Sequence, residues 1–287
     1  MKKNMKEINK TAFSALNKPD IYEAERLFRL NVKEFPNSKT FHNLGVSYLL
    51  EGIQLKRSVN IRNSSLMSLI YLRKSLKLSN LPQTNSALGF LYFWKRKFRK
   101  AAEYFEKSYK LGGDCTSAYN CGVCLYRAED FIESSKWIEK SINKCHDEDE
   151  YDIEAMYHTL AFSYAYQGMP KEVKKIINVC PLSETTQFKL LYLISDSSAT
   201  NFLEKAIHDT TFDFLTIAII FDVISKIDVK RLCNVYNIFL SYMDDAYDRV
   251  KLKQKLNKIY FNERYRKKYI ARTKEIRMIL NQDYYIY

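Results

Sequence analysis

The chain has 287 residues with 7 Gly and 5 Pro, where average usage would give roughly 20 Gly and about 14 Pro. Barrels, sandwiches and doubly wound sheets need many tight turns built on those two residues, so the shortage excludes them and leaves an all-α fold. The net charge of +13 is uneven, because residues 249–277 hold twelve Lys/Arg against Glu263 and Glu275, and only +3 falls elsewhere.

The predicted elements, taken from the N-terminus, begin with a weak helix near Met5. A second helix carries Ala24 and Phe28 and ends before Pro36. Leu44-Gly45 and Tyr48 belong to a third. About eleven extra residues, IQLKRSVNIRN, separate Gly52 from Ser64 and from a fourth helix with Ser68 and Leu72. Residues 82–114 and 115–146 then align at a constant offset of 33. Leu88-Gly89 falls over Cys121-Gly122, Phe98 over Phe131, Ala101 over Ser134, Phe105 over Ile138 and Ser108 over Ser141. An acidic insert, HDEDEYD, follows Cys145, after which Leu160-Ala161, Tyr164 and Gly168 restate the pattern and Ile177 continues it. A degenerate unit is expected over 183–208, where Phe202, Leu203 and Ala206 sit at helical spacing. Further helices are expected at about 211–226, 229–244 and 246–281. The apolar stretch from Phe212 to Ile224 is broken by Asp213 and Asp222, too short and too charged to span a bilayer, and reads as a buried helix.

These repeated residues resemble the tetratricopeptide repeat family, whose unit of about 34 residues forms two antiparallel helices, A and B. The resemblance is specific over 20–181 and extends to 208. It implies an all-α, right-handed solenoid of helical hairpins with about five to six repeats over 1–210, because one unit cannot bury its apolar face alone. Residues 211–287 are then a C-terminal helical capping region ending in a long basic helix. The resemblance further implies that small residues at the eighth position (Gly45, Gly89, Gly122, Ala161) and at the twentieth (Ala24, Ser68, Ala101, Ser134) let helices A and B approach. Large residues at the twenty-fourth (Phe28, Leu72, Phe105, Ile138, Ile177) fill the space between repeats. Gly52 and Gly168 are expected at the A-to-B turn, and Gly112-Gly113 between repeats.

In that family, helix A lines a concave groove. Carried over, the lining is Gln83, Ser86, Phe90, Phe93 and Trp94 in the third repeat. It is Thr116, Tyr119, Val123, Tyr126 and Arg127 in the fourth, and Ala155, His158, Phe162, Ala165 and Tyr166 in the fifth. Aromatic side chains give large contact area at low entropic cost, which suits a peptide or helix of a partner protein. The expected contacts are Phe90, Phe93, Trp94, Tyr119, Tyr126, Arg127, His158, Phe162 and Tyr166. A clamp for a terminal carboxylate is not expected: starting from the third repeat, the clamp positions read Ser86, Phe90, Asn120, Ala155 and Thr159.

Chemistry is sparse elsewhere. Cys121 and Cys124 form a C-x-x-C with Cys115, Cys145 and His146 nearby, yet the register gives them the packing positions of Leu88 and Leu91. They therefore read as core rather than as a zinc site. His42 and His158 fall in different repeats, His208 ends a helix, and no Gly-rich phosphate loop exists, so neither an enzyme, a cofactor nor a metal is expected. The acidic run from Asp147 to Glu154 reads as a solvated loop before a helix N-terminus. The basic C-terminal stretch interleaves Tyr260, Phe261, Tyr265 and Tyr269 with Lys251, Lys255, Lys258, Arg264, Arg266, Lys267, Lys268 and Arg272. That pattern fits a cap with a charged outer face, an acidic protein, a nucleic acid or an anionic membrane surface. Six cysteines without a disulfide spacing, and a start (MKKNMKEINK) without a leader's apolar run, suggest a cytoplasmic protein. The leading expectation is a protein–protein adaptor. The alternative is a regulator contacting nucleic acid or another polyanion through 249–277, with peptide sensing as a variant.

Overall fold

The computed structural model describes residues 5–17, 21–54, 61–145, 153–208, 213–242, 249–267 and 270, and every regular element among them is helical. Helices α1 (Met5–Asn17) and α2 (Ile21–Glu34) form the first hairpin, followed by α3 (Ser38–Gln54) with α4 (Ile61–Leu78). Next come α5 (Pro82–Trp94) with α6 (Phe98–Lys110), α7 (Cys115–Arg127) with α8 (Phe131–Lys144), and α9 (Ile153–Gln167) with α10 (Pro170–Val179). A sixth pair joins α11 (Glu184–Leu193) to a 3-10 turn (Ser197–Phe202) and α12 (Leu203–His208). The chain ends its described course in α13 (Phe214–Ile227), α14 (Leu232–Tyr242) and α15 (Arg249–Phe261). None of these helices is long and apolar enough to cross a membrane.

Two compact units divide the chain: the first takes the described residues up to Ala128 with 136–145, and the second takes 129–135 and the described residues from 153 onward.

The hairpins close because helix A presents glycine where helix B presents its bulk. A Cβ placed on Gly45 would lie 2.7 Å from Leu72, on Gly89 2.8 Å from Phe105, and on Gly122 2.5 Å from Ile138. Each partner is the large twenty-fourth residue of the same repeat, and all three are fully buried. A glycine inside a helix costs about 1 kcal/mol, which the burial of a Leu or Phe, about 1.5–3 kcal/mol, more than offsets.

The turn from helix A to helix B is also repeated. Arg96, Glu129, Gly168 and Ser195 all take the left-handed backbone, with φ of 58°, 63°, 71° and 58°. After Arg96, Gly168 and Ser195 the next N–H reaches back across the turn: Lys97 to Tyr92 O at 2.9 Å, Met169 to Tyr164 O at 3.0 Å, Asp196 to Leu191 O at 2.9 Å. That bond closes a Schellman-type helix end, and its recurrence at Ser195 gives the sixth pair the geometry of its predecessors. Gly52 departs from expectation. It lies buried inside α3, not at a turn, because the extra residues after it lengthen both helices: α3 runs on to Gln54 and α4 starts at Ile61.

In the first unit the core runs from Ile8, Phe28 and Leu44 to Leu72, Leu88, Leu91 and Phe105. In the second, α13 is the centre. Residues Ile217, Ala218, Ile219, Ile220 and Phe221 are fully buried and share one cluster with Phe188, Leu203, Val235, Phe239, Leu256 and Ile259. The two aspartates that break its apolar run have separate jobs. Asp213 caps the helix, accepting the Thr216 N–H at 2.7 Å. Asp222 is buried and accepts the Tyr192 hydroxyl at 2.8 Å and the Lys226 ammonium at 2.6 Å.

The single basic helix expected over 246–281 is interrupted. α15 stops at Phe261, and Asn262 caps a new turn over 263–267 by accepting the Tyr265 N–H at 2.8 Å. Arg266 then folds back and donates to the carbonyls of Ile259 and Tyr260, both at 3.3 Å, satisfying orphan acceptors at the end of α15.

Candidate functional site

On α5, Phe90, Phe93 and Trp94 are each half-buried. Phe90 stands edge-on to Phe105 at 5.0 Å and Phe93 edge-on to Phe98 at 5.4 Å, so both rings are propped from helix B. Trp94 leans toward Gly52, where a Cβ would lie 3.8 Å from its ring. On α7, Tyr126 and Arg127 are half-buried, whereas Tyr119 is only 4% exposed. Tyr119 thus lies inside rather than on a groove. The cause is α7 itself, which is buried around its whole circumference from Ser117 to Cys124. Burial lowers the Arg127 guanidinium below its usual value, and Arg96 adds to the effect. A guanidinium in that setting favours a carboxylate partner held by two parallel hydrogen bonds.

In the second unit, α9 carries a ring series of its own. His158 lies 4.8 Å from Phe162, Phe162 is 6.4 Å from Tyr166, and Tyr166 stacks on Phe131 at 4.7 Å. Phe162, flanked by His158 and Tyr166, is 5% exposed, so the edge of the series is made by its neighbours. Burial, with help from Lys189, pushes the His158 pKa down to about 4, and the imidazole is neutral at neutral pH.

Near His158 lies a charged group that sequence reasoning missed. Lys189 of α11 pairs with Asp213 at 3.5 Å, and Asp213 also acts on Lys255 of α15, whose ammonium sits 4.3 Å over the Phe214 ring. The signal was present in the turn register. Phe90, Val123 and Phe162 each stand six residues before a left-handed turn residue, and Lys189 stands six before Ser195.

The eight cations expected to form a polyanion surface do not behave as one set. Lys251, Lys258 and Arg264 are exposed. Lys255 is half-buried against Phe214, Lys267 pairs with Glu263 at 2.6 Å, and Arg266 is 3% exposed and spent on the α15 carbonyls. Lys268 and Arg272 lie outside the described residues. The expectation for Arg266 therefore changes from outer-face cation to internal cap.

The C-x-x-C occupies the interior, with Cys121 at 1% and Cys124 at 0% exposure. The Cys121 thiol donates to Ala102 O at 3.5 Å, and burial pushes the Cys124 thiol well above its usual range. His42 has Nδ1 3.2 Å from the Thr84 hydroxyl, and burial lowers its pKa.

No protein-family model matches the chain, and no curated protein matches it. Solved structures do. A tetratricopeptide repeat protein from Parabacteroides merdae ATCC 43184 superposes with a TM-score of 0.58 at 13% identity, over 90% of this chain and 99% of that one. PilW, a widely conserved type IV pilus biogenesis factor, superposes with a TM-score of 0.52 at 13% identity, over 73% of this chain and 95% of that one. At such identity the likeness is one of fold: the chain has the all-α helical-repeat fold of tetratricopeptide-repeat proteins.

Proposed function

We propose that this chain is a non-enzymatic interaction scaffold that holds a peptide or helix of a partner protein against the helix-A residues of its first unit. The observation that carries the reading is the set of half-exposed rings Phe90, Phe93 and Trp94 on α5, with Tyr126 and Arg127 at the matching end of α7. Rings propped from behind lose little freedom when a ligand arrives, which is the usual property of an interface hot spot. Six cysteines, all as free thiols, support a reducing, cytoplasmic setting.

The test is the double substitution Trp94→Ala with Tyr126→Ala. Partner capture by the tagged protein is expected to be lost while the helical circular dichroism stays unchanged. Capture at the original level by the folded variant sinks the reading.

A second reading rests on the C-terminal stretch, where exposed Lys251, Lys258 and Arg264 accompany Phe261, which is 73% exposed. Cations beside an exposed ring suit a polyanion such as a nucleic acid. Its signature is an affinity that falls steeply with salt and vanishes when the three cations are replaced by Gln.

A further inference from the structure

Helix B of three successive repeats in the first unit carries one motif, written YLRKS, YFEKS and WIEKS from Tyr71, Tyr104 and Trp137. In each, a lysine follows the aromatic residue by three positions, which places both on one helix face. The lysine lies over the ring every time: Lys74 at 5.4 Å from Tyr71, Lys107 at 5.0 Å from Tyr104 and Lys140 at 4.3 Å from Trp137. The same helices place further lysines over rings of earlier helices. Lys100 sits 4.8 Å over Tyr92, which stacks on Tyr104 at 5.3 Å, and Lys144 sits 4.5 Å over Tyr109, which meets Trp137 edge-on at 5.5 Å.

The serine after each lysine fixes the roll of its helix. Ser75 donates to Ser38 O at 2.9 Å, Ser108 to Pro82 O at 2.9 Å and Ser141 to Cys115 O at 2.8 Å. All three serines are buried, whereas Lys74, Lys107 and Lys140 are exposed. Each ammonium is thus held in place, facing solvent, before any ligand comes, and that lowers the entropic cost of binding one.

We propose that this lysine ladder docks an acidic α-helix of a partner protein. Together α4, α6 and α8 carry eleven Lys and Arg against four Glu, so a face lined with carboxylates is the complementary surface. The α4 end adds an apolar contact, since Leu66 and Ile70 are 53% and 37% exposed beside Arg73, Lys74 and Lys77, and α4 has no carboxylate of its own. A nucleic acid fits less well for two reasons. The rings are already covered by lysine and closed to base stacking. Glu103, Glu106 and Glu139 also stand among the rungs, with Glu106 paired to Lys110 at 2.6 Å, and discrete carboxylates can avoid them where a continuous phosphate chain cannot.

The experiment uses the full chain and two synthetic helical peptides of identical composition, labelled for fluorescence anisotropy at low ionic strength. One carries its Glu residues in a row along one face and the other has them spread around the helix. The one-faced peptide is expected to bind at least tenfold more tightly. Lys74→Gln, Lys107→Gln and Lys140→Gln together should erase that preference with unchanged circular dichroism, while the Trp94→Ala, Tyr126→Ala variant keeps it. The proposal is overturned by equal affinity for the two peptides, by binding of neither, or by tighter binding of a single-stranded oligonucleotide of equal charge.

Discussion

Glu129 and Arg96 hold a backbone conformation that costs a side-chain-bearing residue roughly 1–2 kcal/mol, and Gly168 holds the same one without that cost. The penalty is tolerated because the turn must reverse the chain within three residues to bring helix B onto helix A. Replacing Glu129 with Gly therefore relieves strain. The gain is reduced by the extra freedom glycine has when unfolded. The variant should be more stable by about 0.5–1 kcal/mol, read as a higher denaturant midpoint at unchanged slope. A lower midpoint would show that the Glu129 side chain contributes more than its backbone costs.

At the scale of elements, the hairpins were legible from a few residues. Gly45, Gly89 and Gly122 mark the A helices, and Leu72, Phe105 and Ile138 mark their partners, because close approach demands a small residue at one place and a large apolar one at the other. Three features were not legible, each for a physical reason. The break at Asn262 is a cap inside a stretch whose apolar spacing continues on both sides, so periodicity alone cannot see it. Tyr119 and Phe162 occupy family groove positions, but exposure depends on what packs around a whole helix, and α7 and α9 are buried on most sides. The serine of each helix B recurs in the sequence, but its acceptor, a carbonyl at the start of helix A, is set by the packing of the hairpin. Ser108 donates to Pro82 O at 2.9 Å and lies 2.8 Å from the Ser86 hydroxyl and 3.1 Å from that of Ser117. Ser108→Ala should cost about 1–2 kcal/mol, since buried polar partners lose a bond that water cannot replace. Urea unfolding measures it, and a neutral result would remove the serines from the account of how helix B is oriented.

At the scale of the whole molecule, acid is the revealing variable. The folded pKa of His158, about 4, lies below its unfolded value of 6.5. Between those values the unfolded chain binds a proton that the folded chain refuses. The stability this group supports is therefore complete above about pH 6.5 and declines as pH falls toward 4, by at most about 1.4 kcal/mol per pH unit. Lys189 strengthens the effect and Asp213 opposes it. His158→Gln should lose less stability than the parent between pH 7 and pH 4.5, measured as the difference in denaturant midpoints. Equal losses would mean that the imidazole stays accessible to protons in the folded chain.

Charge has a similar whole-molecule lesson. The excess of Lys and Arg in 249–277 suggested a single cationic tail, yet Arg266, Lys267 and Lys255 are each committed to a carbonyl, a carboxylate or a ring. Meanwhile an ordered row of ammoniums stands on α4, α6 and α8, whose positive charge is offset in the total by acidic residues elsewhere in the chain. Position on a face, not total, decides which cations a partner meets.

The left-handed turn after α5, α7, α9 and α11 carries one further consequence. It accepts Arg, Glu, Gly or Ser, and it joins the two helices by backbone alone. A joint whose bonds are main-chain bonds is interchangeable. A block cut at one such turn and pasted at the next would arrive in phase, with its glycine still facing its own Leu, Phe or Ile. The architecture is thus extensible by whole periods, and gene duplication could lengthen the molecule without inventing a new contact.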